Sequence, residues 1–457
     1  MFKDKKVLVL GFARSGYEVA KVLAERGCRV VLNDEKVETE FDDYKVNILR
    51  ELGVRMIFGS HPDDIFDDSY DYLIKNPGVP IDHKYVLKAQ MLEVEVINEV
   101  EVAYRLLPED VKIIAITGTN GKTTTTTLTY EIIKKAYGDR VVLAGNMGYP
   151  LCSVLNDVKS GDIIVMELSC QQLENLIEFN PDIAVMTNLA LAHIDFFKDY
   201  ENYTRVKCKI FQNHTTSNIA ILNIENDDVV SKTKNIKSIM KFFSSRKEIN
   251  GCYLKGDSIY YYGEKILSCC DMLIKGIHNI ENCICSIMIA KELGIDNDVI
   301  KDVINNFKGV EHRLEYVDDV CGRKFYNDTQ STNIKSTQIA LSSFNSPIII
   351  LLGGLDRGQD FNELTQFMEN VKCIVAIGGC RNKVLEYGNH LGIPTFSYEF
   401  LNEAFDKCFE ESDDGDIILL SPASASTDQY TKCEERGWEF KNMVEELKNG
   451  SKERTNI

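Results

Sequence analysis

The segment Thr117-Gly118-Thr119-Asn120-Gly121-Lys122-Thr123-Thr124 combines two glycines, a lysine and a run of hydroxyls. The apolar run Ile113-Ile114-Ala115-Ile116 precedes it, and a helix-like stretch follows. A strand, a glycine loop and a helix start let successive backbone N–H groups converge on phosphate oxygens. In such a loop Lys122 supplies a point charge, and the Thr123 hydroxyl can hold Mg²⁺. The chemistry this suggests is nucleoside triphosphate binding. Gly118 and Gly121 enclose only Thr119 and Asn120, whereas an ordinary P-loop places four residues between its outer glycines. A strand-to-helix turn that happens to contain Gly-Lys-Thr is the bland alternative.

Three further polar residues fall near strand ends in the same stretch. Glu167 follows Ile163-Ile164-Val165-Met166 and can hold a hard cation. His193 lies in a short loop after the apolar run from Ile183, and Lys207 sits within the amphipathic stretch Tyr203 to Phe211. Taken singly they read as a solvated acid, a structural histidine and a surface lysine. Together with the glycine loop they point to one site, because ligands of open α/β sheets bind at the carboxyl ends of the strands. Asn279 and Asn282, three residues apart in a helix-like segment, share a face and could read a base edge. Arg313, in Gly309-Val310-Glu311-His312-Arg313-Leu314-Glu315, stands at a joint between segments, where domain closure can bring it to nucleotide phosphates.

These residues need a scaffold. A chain of 457 residues is long enough for about three domains. Apolar runs alternate with amphipathic stretches throughout, which predicts an α/β fold of three mostly parallel sheets flanked by helices. The boundaries we expect are 1–109 (Rossmann-like), 110–310 (a P-loop ATPase domain) and 311–457 (Rossmann-like). In the first, Gly11-Phe12-Ala13-Arg14-Ser15-Gly16 resembles the dinucleotide fingerprint, with Ala13 where the middle glycine would stand. Asn33 and Asp34 end the second apolar run, where a ribose or base could be read. Gly11, Gly16 and Gly78 read equally as turn glycines without a ligand. The polar tail from Asn449 is expected to fray.

Composition narrows the partners. With 70 acidic and 52 basic residues the formal charge is −18, which argues against nucleic acid. An anionic substrate must then be met by helix N-termini, Mg²⁺ and a few placed cations. The fourteen cysteines lack the C-x-x-C pairing of a zinc site and read as small buried hydrophobes. No apolar stretch approaches the roughly 18 residues of a membrane span, and the chain opens without a basic-plus-apolar leader. We therefore expect a cytoplasmic protein with no membrane insertion.

Three motifs, Gly118-Thr119-Asn120-Gly121-Lys122-Thr123, His278-Asn279-x-x-Asn282 and His312-Arg313-Leu314-Glu315, resemble those of the Mur ligase family, ATP-dependent enzymes that add amino acids to the cell-wall precursor. Ala144-Gly145-Asn146-Met147-Gly148-Tyr149-Pro150, Asn327-Asp328-Thr329-Gln330-Ser331-Thr332-Asn333, Gly353-Gly354-Leu355-Asp356-Arg357-Gly358 and Leu420 to Ser426 are similar to its D-glutamate-adding branch. The resemblance runs along nearly the whole chain. It implies a monomeric ligase joining D-glutamate to UDP-N-acetylmuramoyl-L-alanine through an acyl phosphate and a tetrahedral intermediate. It assigns ATP to Gly118, Thr119, Asn120, Gly121, Lys122, Thr123, Thr124, Asn279, Asn282, Arg313 and Asp328. Two Mg²⁺ ions would fall to Thr123, Glu167, His193 and Lys207, the last carried as a carbamate. Lys122, Glu167, His193, Lys207 and Arg313 would serve catalysis. The UDP precursor would meet Arg14, Ser15, Asp34, Gly78, Asn146 and His193, and D-glutamate Thr332, Arg357, Ser426 and Thr427.

The sequence also departs from that pattern. Gln330 replaces a lysine, Leu191 an acidic residue, Cys170-Gln171 a Ser-Phe pair and Cys433 an aromatic. Other Mur-type ligases, folylpolyglutamate-type ligases and a degenerate nucleotide-binding relative are the alternatives. The folylpolyglutamate type carries its phosphate loop near the chain start, whereas here about 109 residues precede it. The Asp-Asn-Pro-Arg signature of the diaminopimelate- or lysine-adding ligase is missing from the sequence.

Overall fold

The structure, a computed structural model, describes residues 1–455, with side chains described through Gly450. Three sheets form. The first comprises β1 (Lys6–Leu10), β2 (Arg29–Asp34), β3 (Arg55–Phe58), β4 (Tyr72–Lys75) and β5 (Glu95–Ile97), in the order β3-β2-β1-β4-β5 with every pairing parallel. Val7 to Leu10 are buried on both faces, so their run is continuously apolar rather than alternating. Strand order reverses between β1 and β4, which opens a crevice at their carboxyl ends.

The second sheet holds β6 (Lys112–Thr117), β7 (Val141–Gly145), β8 (Ile163–Glu167), β9 (Ile183–Met186), β10 (Ile219–Asn223), β11 (Ile239–Ser244), β12 (Cys252–Lys255), β13 (Ser258–Tyr261) and β14 (Glu264–Ser268). Its order is β14-β13-β12-β11-β10-β9-β6-β8-β7. The strand before the glycine loop, β6, lies between β8 and β9, and this brings the ends of three strands together. The third sheet runs β15-β16-β20-β17-β18-β19, from β15 (Glu315–Val320), β16 (Arg323–Asn327), β17 (Ile348–Gly353), β18 (Val371–Ile377), β19 (Thr395–Ser397) and β20 (Ile417–Leu420). Its β15–β16 pair is antiparallel, and its other four pairings are parallel.

The α/β architecture with three mostly parallel sheets agrees with the sequence-based expectation. Strands β3, β11–β15 and β19 were not anticipated from the sequence. Strand β3 is a half-buried edge, and β12–β13 is a tight hairpin whose turn places Gly256 at φ +62, so neither presents a long apolar run. By contacts the chain forms two compact units, Met1–Leu267 with Glu281–Val303, and Ser268–Ile280 with Ile304 onward. The first unit contains the first two sheets. A final helix runs Cys433–Thr455; the end of the tail expected to fray from Asn449 lies outside the described residues. Cys152, Cys252, Cys283, Cys285 and Cys408 are buried, as expected of small hydrophobes. Among the described residues, no helix is long and apolar enough to cross a membrane.

Candidate active site

The glycine loop connects β6 to the helix Lys122–Tyr137. Gly118 has φ +151, and a Cβ there would fall 1.9 Å from Thr187 Oγ1; Gly121 has φ +79, and its Cβ would fall 2.4 Å from Asn282 Oδ1. Two walls therefore exclude side chains, and glycine is the residue that fits. The end of β9 holds the loop in place. Thr119 N–H donates to Asn188 O (2.9 Å), Asn120 N–H to Asn188 Oδ1 (2.9 Å) and the Thr187 hydroxyl to Asn120 O (2.6 Å). Lys122 Nζ donates to Gly118 O and Thr119 O, at 3.0 and 2.8 Å. The first N–H groups of the following helix have no intrahelical acceptors, so Thr123 and Thr124 sit at an anion-seeking end.

Beside the loop, Glu167 ends β8 and is 1% exposed. Its Oε1 accepts from Asn146 Nδ2 at 2.6 Å, while Oε2 is buried and makes no hydrogen bond. A bare carboxylate oxygen in a dry site is costly unless a cation meets it, so the donor set fits a hard divalent ion. Lys207 closes the helix Tyr200–Lys207 and is buried; its Nζ donates to Thr117 Oγ1 at 3.3 Å. Burial first, and the Lys122 charge second, pull Lys207 down to about 7. A large share of it is therefore neutral amine near neutral pH, the form that adds CO₂.

Tyr203 links these parts, and sequence reasoning missed it. Its hydroxyl lies 2.9 Å from Thr119 Oγ1, Lys207 Nζ stands 5.3 Å from its ring and the His193 ring is 6.2 Å away. His193 is exposed and has φ +52, a conformation few non-glycine residues adopt. Exposed Leu191 lies two residues ahead of it. Cys170 is buried and its Sγ contacts Tyr203 O at 3.5 Å, while Gln171 follows it in a helix capped by Ser169.

The first sheet meets this centre at Asn146, whose carbonyl accepts from Arg14 at 3.4 Å. Ser15 donates to Asn76 Oδ1 (2.7 Å), and Phe12 N–H donates to Asp34 Oδ2 (2.7 Å), so the ends of β1, β2 and β4 form one ledge. Gly16 is a backbone necessity, since a Cβ would lie 2.0 Å from Gly11 O; open space surrounds Gly78. Asn76 was not singled out in the sequence, although Lys75-Asn76-Pro77-Gly78 signals a turn at a strand end. Asn282 belongs to the same unit and accepts from the Thr125 hydroxyl at 3.1 Å.

Asn279, Arg313, Asp328, Thr332, Arg357, Ser426 and Thr427 all lie in the second unit. Asn279 is buried and donates to Lys275 O (2.8 Å). Arg313 is exposed between two buried residues of positive φ, His312 (+67) and Leu314 (+44). Such backbone is strained, and it turns the guanidinium outward. Asp328 accepts from Leu314 N–H and the Ser421 hydroxyl, and burial raises it to about 6. Loops after β17 and β20 are tied by Leu355 N–H donating to Ala425 O, which brings the stretch bearing Arg357 alongside Ser426 and Thr427. Ser426 Oγ is buried without a hydrogen bond, while Thr332, Arg357 and Thr427 are exposed. Gln330 is half-buried, and its N–H donates to His312 O. Beneath these loops Arg436, also missed, is 1% exposed and donates to Thr329 Oγ1, Thr329 O, Gly353 O and Ser424 O. The Cys433 carbonyl accepts from the Thr329 hydroxyl.

Residues 116–290 match the Mur ligase middle domain. The chain is 40% identical over 450 residues to the UDP-N-acetylmuramoylalanine–D-glutamate ligase of Geobacillus kaustophilus, covering 98% of this chain and 99% of the relative. It is 42% identical to the enzyme of the same name from Enterococcus hirae, with 97% of each covered. Among solved structures, the UDP-N-acetylmuramate-alanine ligase of Thermotoga maritima aligns over 97% of this chain and 99% of that one at 17% identity, with a TM-score of 0.57. The MurF ligase of the same organism, solved with ADP, aligns over 97% and 96% at 17% identity, with a TM-score of 0.55. Their likeness extends the shared fold across all three sheets. With the phosphate loop, the buried carboxylate and the near-full-length identity in view, this chain belongs to the Mur ligase family, ATP-dependent amide ligases.

Proposed function

We propose that this protein joins D-glutamate to UDP-N-acetylmuramoyl-L-alanine in peptidoglycan precursor synthesis, with ATP activating the alanine carboxylate. A carboxylate is a poor acyl donor until it carries a leaving group. Transfer of the γ-phosphoryl group makes an acyl phosphate; the amine of D-glutamate adds to its carbonyl, and the tetrahedral intermediate expels phosphate. Such transfer depends on positioning and on charge neutralisation rather than covalent help. Lys122 and the amides of Gly118 to Thr124 hold the ATP phosphates in this reading. Asn279, Asn282, Arg313 and Asp328 serve the nucleotide.

Thr123, Glu167, His193 and Lys207 would hold Mg²⁺, in two ions, and the unbonded Glu167 Oε2 supports this. When bound, the metal offsets phosphate charge. A carbamate on Lys207 would give an anionic oxygen ligand where an ammonium would repel the cation. Its burial and low proton affinity support that modification. Arg14, Ser15, Asp34, Gly78, Asn146 and His193 serve the precursor, and Thr332, Arg357, Ser426 and Thr427 the D-glutamate. The three roles fall to residues 1–109, 110–310 and 311–457, in a cytoplasmic monomer.

The observation that carries this reading is the buried, half-unbonded Glu167 carboxylate beside the glycine loop, in a chain 40% identical over its length to a ligase of that name. Phosphate release measured with ATP and UDP-N-acetylmuramoyl-L-alanine should require D-glutamate and ignore L-glutamate. Release without any amino acid, or with L-glutamate alone, overturns it.

A further inference from the structure

Lys75 stands at the carboxyl end of β4, next to the switch point of the first sheet. It is 1% exposed, and its Nζ makes no hydrogen bond. The carboxylate nearest to it, Glu174 Oε2, lies at 3.8 Å and is likewise buried and unbonded. An ammonium and a carboxylate kept out of water cost free energy that only close, hydrogen-bonded geometry repays. A pair serving as a strut would close to that geometry, and this one stays open. Burial also pulls Lys75 down to about 8 against the opposing pull of Glu174.

The surroundings indicate what Lys75 faces. The next residue, Asn76, bonds Ser15 and Gly11 O in the loop after β1. Glu174 ends the short helix that follows Glu167, and Phe196, whose ring is 5.7 Å from Nζ, lies in the helix that His193 caps. The ammonium therefore stands where the loops of the first sheet meet those of β8 and β9. In a chain of net charge −18, a buried cation without a bonded partner is a scarce resource for an anionic substrate.

We propose that Lys75 is a substrate-binding residue, whose ammonium meets the diphosphate of a uridine nucleotide precursor lying across the β1–β4 crevice. The inference rests on the functional reading above for the identity of the precursor. It adds a charge contact that the sequence motifs do not contain.

Calorimetric titration of the full chain with UDP and with UDP-N-acetylmuramoyl-L-alanine tests it. Lys75→Met should weaken both ligands by at least about tenfold, leave ATP affinity unchanged and hold or raise the thermal midpoint. Lys75→Arg should recover part of the affinity, and Glu174→Gln should not weaken it. Unchanged affinity in Lys75→Met overturns the proposal. So does equal loss of thermal midpoint in Lys75→Met and Glu174→Gln with nucleotide binding intact, the signature of a strut. Failure of the ligase reading would look different: wild-type binding of UDP without amino-acid-dependent phosphate release, which leaves the Lys75 comparison readable.

Discussion

Asn146 Nδ2 donates to Glu167 Oε1 at 2.6 Å, and the Asn146 N–H donates to the Glu167 carbonyl at 2.9 Å. One residue thus grips both the side chain and the backbone of the proposed metal ligand, leaving Oε2 buried and unbonded. Asn146→Ala frees the carboxylate to rotate, and loss of such an orienting partner typically costs about 10–100-fold in metal affinity. The Mg²⁺ concentration giving half-maximal turnover should rise accordingly. An unchanged Mg²⁺ response would remove Asn146 from this role.

Lys207 makes a prediction about pH. Its folded value of about 7 lies below the ordinary 10.5, so between those limits the unfolded chain binds the extra proton. Stability from this group therefore rises as pH climbs through that window, and its penalty is fully present below about 7. Lys207→Met should raise the thermal midpoint near pH 7 and flatten the rise toward pH 10, measured in CO₂-free buffer. Lys207→Ala should be inactive, with no rescue by bicarbonate. A slope identical to wild type would contradict the buried-amine assignment.

Ser426 sets stability against binding. A buried hydroxyl without a partner costs roughly 1–3 kcal/mol, so Ser426→Ala should hold or raise the thermal midpoint. If the hydroxyl awaits the amino acid, the same change should raise the KM for D-glutamate severalfold and leave the KM for ATP alone. A fall in midpoint with unchanged KM would assign Ser426 to packing.

Arg436 is a buried cation whose four bonds all end on neutral oxygens, on Gly353 at the end of β17 and on Thr329 and Ser424 after β16 and β20. Arg436→Lys keeps the charge but cannot span four acceptors with one ammonium. We expect it to lower the thermal midpoint and to raise the KM for D-glutamate, with precursor binding unchanged by calorimetry. Equal losses for every substrate would indicate general unfolding instead.

Much of this was legible in the sequence, for identifiable reasons. Ile113 to Lys122 announces strand, loop and helix through local pattern alone, and Glu167 stands out because it closes an apolar run. Tyr203, Asn188 and Arg436 carried no such signal. Their importance comes from the order β9-β6-β8 and from the three loops gathered over one helix, which are long-range facts. The hairpin strands β12–β14 escaped for a different reason: short and partly exposed, they lack a periodic apolar run.

The second unit is assembled from two stretches of chain, and Leu273 O, in the earlier one, accepts from the Tyr326 hydroxyl in the later. A fragment starting at residue 311 would leave that earlier stretch behind. Tyr326, which is 2% exposed, would lose its acceptor, and the bared edge would invite clumping. Severing the protein into freely reusable modules is therefore harder than its three sheets suggest, and any transplant of the third sheet should carry residues 268–280 along with it.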